Sequence, residues 1–245
     1  MGKTFEALLR AEKERQVKLG EDTGERIPGV TPEPCPLPAQ ISEEYRRLKN
    51  RILHIDSRQK IRTILFVSPT SGEGNSMVVS HFAIVLACEG DRVLLVDTNL
   101  RHPSIHEIFN LELDNGFTDF ILQKLTLEGV IKTTPFRNLK VITGGSARSD
   151  LFPAIHSRFL DPCISRLKLK ADWVLFDSPS MDIYNDAISL APRLDGVVLV
   201  IEAEKTRWEV AERVKNSILD GGGKILGTVL NRRRYYIPRR IYKTL

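Results

Sequence analysis

The nine residues Ser68-Pro69-Thr70-Ser71-Gly72-Glu73-Gly74-Asn75-Ser76 stand between an apolar run and a helical stretch, and they narrow the possible folds further than any other feature. The run before them, Arg62–Val67, reads as a short buried strand, and Ser76–Glu89 after them reads as a helix. Glycines in that setting let the backbone fold close around an anion. Several N–H groups then point inward at the start of a helix whose dipole favours negative charge. A Ser or Thr at the end of such a loop ligates magnesium, and Ser76 stands there. The usual loop ends Gly-Lys-Ser/Thr, whereas this one ends Gly-Asn-Ser. Taken alone, the loop is either a phosphate cradle or a glycine-rich turn without a ligand.

The rest of the chain supports the first reading. Arg92–Asp97 and Trp173–Asp177 are apolar strands that each end in an acid, and Leu139–Thr143, Gly196–Ile201 and Lys224–Leu230 read as further strands. Helical or irregular pieces occupy 104–134, and helices are expected over 150–170 and 205–219. Strands that are apolar throughout and separated by helices predict an α/β fold, a largely parallel sheet with helices on both faces. In open sheets of this kind ligands bind beyond the carboxyl ends of the strands. A phosphate loop and the two carboxylates Asp97 and Asp177 would therefore meet, as a magnesium–nucleotide site requires. Strand order is not readable from one sequence.

Flanking segments differ in character. Residues 1–19 have helical composition, 20–41 form a linker with five prolines between Pro28 and Pro38, 42–231 make the nucleotide-binding body, and 232–245 form a tail. Ser42 is expected to cap the first helix of the body, with Glu43 and Glu44 in its first turn. The 245 residues suit one compact domain with appendages. No apolar run approaches the roughly 20 residues that span a bilayer, and the N-terminus lacks a signal-peptide pattern, so the cytoplasm is the expected compartment. Cys35, Cys88 and Cys163 give neither a zinc pattern nor a disulfide framework, and Cys88 reads as core packing. His102 and His106 lie four apart, but Pro103 intervenes and no acid or Cys stands at matching spacing, which argues against a metal pair. The net charge of +5 is mild, yet the tail carries six Arg or Lys and no acidic side chain. That tail suits an anionic lipid or nucleic acid as well as a regulatory role. Nucleic acid is disfavoured because the basic residues are confined there, with no stacking platform elsewhere.

These motifs together resemble the bacterial tyrosine kinases of the capsule and exopolysaccharide type (the CpsD/CapB-like family), P-loop proteins related to MinD and ParA. Asp97-Thr98-Asn99-Leu100-Arg101-His102-Pro103 is similar to the family's Asp-x-Asp-x-Arg-x-Pro motif, Asp177-Ser178-Pro179 to its Walker B strand end, and Gly227–Arg232 to its last strand, whose Asn lies near the base. Glu43, Arg46 and Lys49 match the Glu-x-x-Arg-x-x-Arg helix that forms the oligomer interface. The resemblance implies a P-loop NTPase fold using ATP and Mg²⁺. Nucleotide contacts would come from Gly72, Glu73, Gly74, Asn75, Ser76, Met77 and Asn231, and metal contacts from Ser76, Asp97 and Asp177. It places Asp97, Asn99 and Arg101 at the reacting centre and makes Tyr235, Tyr236 and Tyr242 the phosphoacceptors. It also implies a homo-oligomer, held at the inner face of the cell membrane by the cytoplasmic segment of a membrane chain-length (polysaccharide co-polymerase) protein.

Two departures bear on activity. Asn75 stands where the family has the phosphate-binding Lys, and Asn99 where it has the second Asp. Loss of one donor or charge at a reacting centre costs about 10²–10³ in rate. Three functions follow: a tyrosine-kinase-like ATP-binding regulator of exopolysaccharide or capsule biosynthesis or export, a catalytically impaired pseudokinase scaffold of the same pathway, or a ParA/MinD-like positioning ATPase.

Overall fold

In the computed structural model the described residues are 35–55, 61–145 and 160–233. The predicted N-terminal helix, most of the proline-rich linker and the three tail tyrosines lie outside them. The first element is α1 (Ala39–Ile55), followed by β1 (Thr63–Val67), α2 (Asn75–Cys88) and β2 (Val93–Asp97). Three short helices, α3 (Ile105–Phe109), α4 (Phe117–Ile121) and α5 (Leu127–Val130), lead to β3 (Lys132–Thr133) and β4 (Leu139–Ile142). Then come α6 (Leu160–Lys168), β5 (Trp173–Asp177), α7 (Asp186–Leu190), β6 (Gly196–Glu202), α8 (Trp208–Asp220) and β7 (Ile225–Asn231).

The strands form one sheet in the order β3-β4-β2-β5-β1-β6-β7. Every pairing is parallel except β3 with β4. Residues of β1, β2 and β5 are buried throughout, because alternate side chains feed two different cores. From β1, Ile64 and Phe66 join Phe82 of α2, Ile52 of α1 and Phe109 of α3 on one face. Leu65 and Val67 join Phe120 of α4, Ile164 of α6, Leu190 of α7 and Ile218 of α8 on the other. Helices thus cover both faces, as expected. This also explains why α2 lacks an amphipathic pattern: 11 of its 14 residues are buried.

One boundary differs from the expectation. The first helix begins at Ala39, its opening turn formed by the Ile41 and Ser42 N–H groups donating to Pro38 O. Ser42 therefore lies inside the helix and is buried, its hydroxyl donating to Leu37 O at 3.3 Å. The Pro38 carbonyl starts the helix three residues earlier than the Ser–Glu–Glu signal suggests.

Candidate nucleotide site

The sheet order brings the three expected strand ends side by side. Asp97 and Asp177 are register partners at the ends of β2 and β5, and β5 also pairs with β1, from which the glycine loop departs. The Thr98 N–H and hydroxyl both donate to Asp177 O, at 2.9 and 2.6 Å, while Ser178 N–H donates to Phe66 O at 3.1 Å. These bonds tie the loops after β2 and β5 to the root of the glycine loop.

Within the loop, Gly72 and Gly74 have φ of 81° and 86°, the left-handed region where a side chain is strained. An added Cβ at Gly72 would meet nothing within 4 Å, whereas one at Gly74 would sit 2.5 Å from Asn231 Nδ2. That close approach lets Asn231, the last residue of β7, donate to Glu73 O at 2.7 Å. The Glu73 side chain is buried beneath the loop, where its Oε1 accepts from Thr70 Oγ1 at 2.6 Å and from Thr206 Oγ1. Glu73 therefore ties the loop to Thr206, ahead of α8. Asp182 Oδ2 accepts from Ser71 N–H at 3.2 Å, and Met77 is partly exposed on the first turn of α2. Thr206 and Asp182 had no motif to announce them; only the fold places them here.

Asn75 is the most consequential residue. It is buried, and its Nδ2 donates to Phe66 O at 2.9 Å, to Asp177 Oδ1 at 2.7 Å and to Ser178 O at 3.2 Å. Both amide protons are committed to the floor of the site rather than to the cradle above it. Ser76, in the next position, has its hydroxyl within the influence of the Asp177 carboxyl. Burial pushes the Asp177 carboxyl up to about 7, against the opposing influence of Ser76 and the hydrogen bond from Asn75. Burial, and then the neighbouring charge of Asp177, raise Asp97 well above the usual carboxylate range.

Asp97 has its oxygens occupied: Oδ1 accepts from Asn99 N–H at 3.0 Å, and Oδ2 from Ser104 and Ile105 N–H at 3.0 and 3.1 Å. The carboxylate closes its own turn and caps the start of α3. Asn99 is half-buried with Oδ1 accepting from His102 N–H at 3.2 Å. Arg101 is exposed, its guanidinium 4.3 Å from the centroid of the Tyr184 ring. The structure thus gathers Gly72, Glu73, Gly74, Asn75, Ser76, Asp177, Asp97 and Asn231 at the carboxyl ends of the strands, with Asn99 and Arg101 in the loop that follows Asp97.

These residues fit a magnesium nucleotide in part. The open Gly72 turn and the start of α2 suit a phosphate. Buried Asp177 Oδ2 has no hydrogen-bond partner, and the Asp177 carboxyl with the nearby Ser76 hydroxyl makes a hydroxyl–carboxylate pair of the sort magnesium takes. The phosphate-binding cation of a standard loop has no counterpart in it.

The residues expected at an oligomer interface are engaged within the chain. Arg46 Nε donates to Glu89 Oε1 at 3.0 Å, and Lys49 Nζ bridges Glu89 and Asp91, both at 2.6 Å. Glu43 lies 3.4 Å from Arg47 and 3.9 Å from Arg46. Lys49 is mostly covered, while Glu43 and Arg46 keep about half their side-chain surface in solvent.

No protein-family model matches the chain. The tyrosine-protein kinase YwqD of Bacillus subtilis is 30% identical over 190 residues, covering 78% of this chain and 80% of YwqD. The chain belongs to the bacterial tyrosine kinase family of the CpsD and CapB type. The succinoglycan biosynthesis transport protein ExoP of Rhizobium meliloti is 24% identical over 195 residues, 78% of this chain but only 25% of ExoP. Among solved structures, the chimerical protein CapA2B2 superposes with a TM-score of 0.75 at 27% identity, covering 79% of this chain and 85% of that one. The septum site-determining protein MinD of Pyrococcus horikoshii, solved with Mg-ADP, has a TM-score of 0.62 at 24% identity over 75% of this chain and 76% of its own, a likeness of fold. This chain thus shares the MinD-type fold, as the strand and loop pattern implies.

Proposed function

We propose that this member of the tyrosine kinase family binds ATP with magnesium and regulates the assembly or export of an exopolysaccharide or capsule, with phosphoryl transfer weak or lost. The observation that carries this reading is the burial of the Asn75 amide against Phe66 O, Ser178 O and Asp177. A phosphate on the loop meets backbone N–H groups and the start of α2, which suffice for binding. It meets no loop cation to neutralise the charge that develops as a phosphoryl group leaves. Ser76 and Asp177 would hold the metal, which would supply positive charge beside the phosphates. Asn231 and the backbone of Glu73 shape the wall opposite. Asp97, with its oxygens already accepting three backbone N–H groups, serves to hold the loop around Asn99 and Arg101.

The family supports a partner of stated kind, the cytoplasmic segment of a membrane-bound polysaccharide co-polymerase, which would place the protein at the inner face of the membrane. In ExoP the matched region is a quarter of a longer protein named for polysaccharide transport. Among the described residues no helix is long and apolar enough to cross a membrane. The tail tyrosines Tyr235, Tyr236 and Tyr242 remain the proposed phosphoacceptors of any residual activity.

Titration calorimetry with ATP, with and without magnesium, tests the reading. Binding is expected in the presence of magnesium, weaker than for a lysine-bearing loop. Absence of both heat and thermal shift at millimolar nucleotide leaves only a scaffold that folds around an unused site.

A further inference from the structure

Two thiols remote in sequence meet on the face of the domain covered by α1. Cys35 lies four residues ahead of the start of that helix, and Cys88 is the last residue of α2; Cys35 packs against the core cluster that contains Cys88, and their side chains are in hydrogen-bond contact. Cys88 is buried in the core cluster between α2 and the sheet, and Cys35 is half-buried against the same cluster. The Ser42 hydroxyl shares its one proton between Leu37 O and Cys35 Sγ, 3.4 Å away, and Arg46, one turn further along α1, adds positive charge nearby. The surroundings therefore favour a thiolate on Cys35. The hydrogen bond from Cys88 is the strongest influence; with those from Ser42 and the Leu37 N–H and the field of Arg46, it outweighs burial and lowers the thiol to about 6. The third cysteine, Cys163, differs. It belongs to the core on the other face of the sheet, and burial pushes its thiol up.

We propose that Cys35 and Cys88 form an oxidation-sensitive dithiol, converted by a hydroperoxide to a disulfide that ties the segment ahead of α1 to the end of α2. The more exposed Cys35 thiolate attacks the peroxide. An S–O bond forms, the O–O bond breaks and an alcohol or water leaves with a proton from solvent, giving the sulfenic acid. The Cys88 sulfur then attacks Cys35 Sγ; the S–S bond forms, the S–O bond breaks, and the hydroxyl departs as water with the Cys88 proton. Two thiols are oxidised and one peroxide is reduced. A half-buried attacking sulfur, a buried resolving sulfur already in contact with it, and a hydroxyl donor on the first are the arrangement this sequence of steps needs. The closed loop encloses the entire phosphate loop, and the bond anchors α1 beside the Arg46–Glu89–Lys49 cluster that holds it on α2.

The test uses the reduced full chain at pH 7.5, treated with a small excess of hydrogen peroxide, then denatured, alkylated and analysed by mass spectrometry. The expected product has Cys35 and Cys88 joined within one chain and Cys163 alkylated, and dithiothreitol restores three alkylatable thiols. Cys88→Ser should trap Cys35 as a dimedone adduct, and Cys35→Ser should leave Cys88 alkylatable. Because a change at buried Cys88 can disturb folding, a second measurement uses the wild type alone: the pH dependence of Cys35 alkylation, expected to have its midpoint well below that of an ordinary thiol. Three free thiols after peroxide, a link involving Cys163, a link only between two chains, or a Cys35 midpoint in the usual thiol range would each overturn the proposal.

Discussion

In the proposed function, a single side chain at Asn75 separates holding a phosphate from moving one. Its amide fills the place beside Asp177 that an ammonium group would otherwise contest, and it does so without charge. Asn75→Lys together with Asn99→Asp is expected to raise phosphotyrosine on the tail peptide holding Tyr235, Tyr236 and Tyr242, read by mass spectrometry after incubation with magnesium-ATP and the activating segment. The lysine alone should contribute on the order of 10²-fold; Asn99→Asp alone should contribute less, since it adds negative charge near phosphate. Abundant phosphotyrosine on the unchanged protein would show that another cation, such as Arg101, already supplies the charge. The residues of this site were largely legible in the sequence, because Gly72, Gly74, Ser76, Asp97 and Asp177 each occupy a fixed place relative to a strand end or helix start. The direction of the Asn75 amide was not, since it depends on β5 lying beside β1. Nor was the meeting of Cys35 and Cys88, which only the packing of α1 on α2 brings about.

Two elements owe their position to polar anchors at their ends. The carboxylate of Asp195, ahead of β6, accepts the Arg62 and Thr63 N–H groups at 2.8 Å each and Lys168 Nζ at 3.1 Å, fixing the entry to β1. Burial alone would raise this carboxyl, but those bonds outweigh it and hold it below the usual range. Its contribution is therefore fully present above the ordinary carboxylate pKa and is lost as pH falls through the lower, folded value. Asp195→Ala is expected to cost about 1–3 kcal/mol at pH 7, and the gap between variant and wild type in chemical denaturation should close below about pH 4. A gap constant with pH would mean that the carboxylate is not the anchor. For α1, the double change Glu43→Ala with Arg46→Ala is expected to shift the protein to smaller species in light scattering. An unchanged mass would leave those two side chains with only their roles inside the chain. The sequence read α1 correctly as a helix but placed its start at Ser42, because the Pro38 carbonyl that begins it carries no side-chain signal.

Across the whole molecule, fold class was legible and strand order was not, for one physical reason. Periodicity and apolar content report whether a strand is buried on both faces, while the neighbour of each strand is set by tertiary packing alone. The order that emerged puts β1 between two strands made much later in the chain. Asn75 lies 102 residues before the Asp177 it bonds to, and Thr63 lies 132 before the Asp195 that anchors it. During synthesis at about 5–20 residues per second, on the order of ten seconds pass between the appearance of β1 and that of its partners. For that interval β1 has no strand to pair with on either side, and the apolar helix α2 has α1 and β2 to pack on but not the completed sheet. A nascent chain arrested before Trp173 should therefore be cut readily by protease around α2, and one extended past Asn231 should resist. The glycine loop is among the first parts of the domain to be made and among the last to acquire its shape, because the candidate site is complete only once β5 and β7 have followed it.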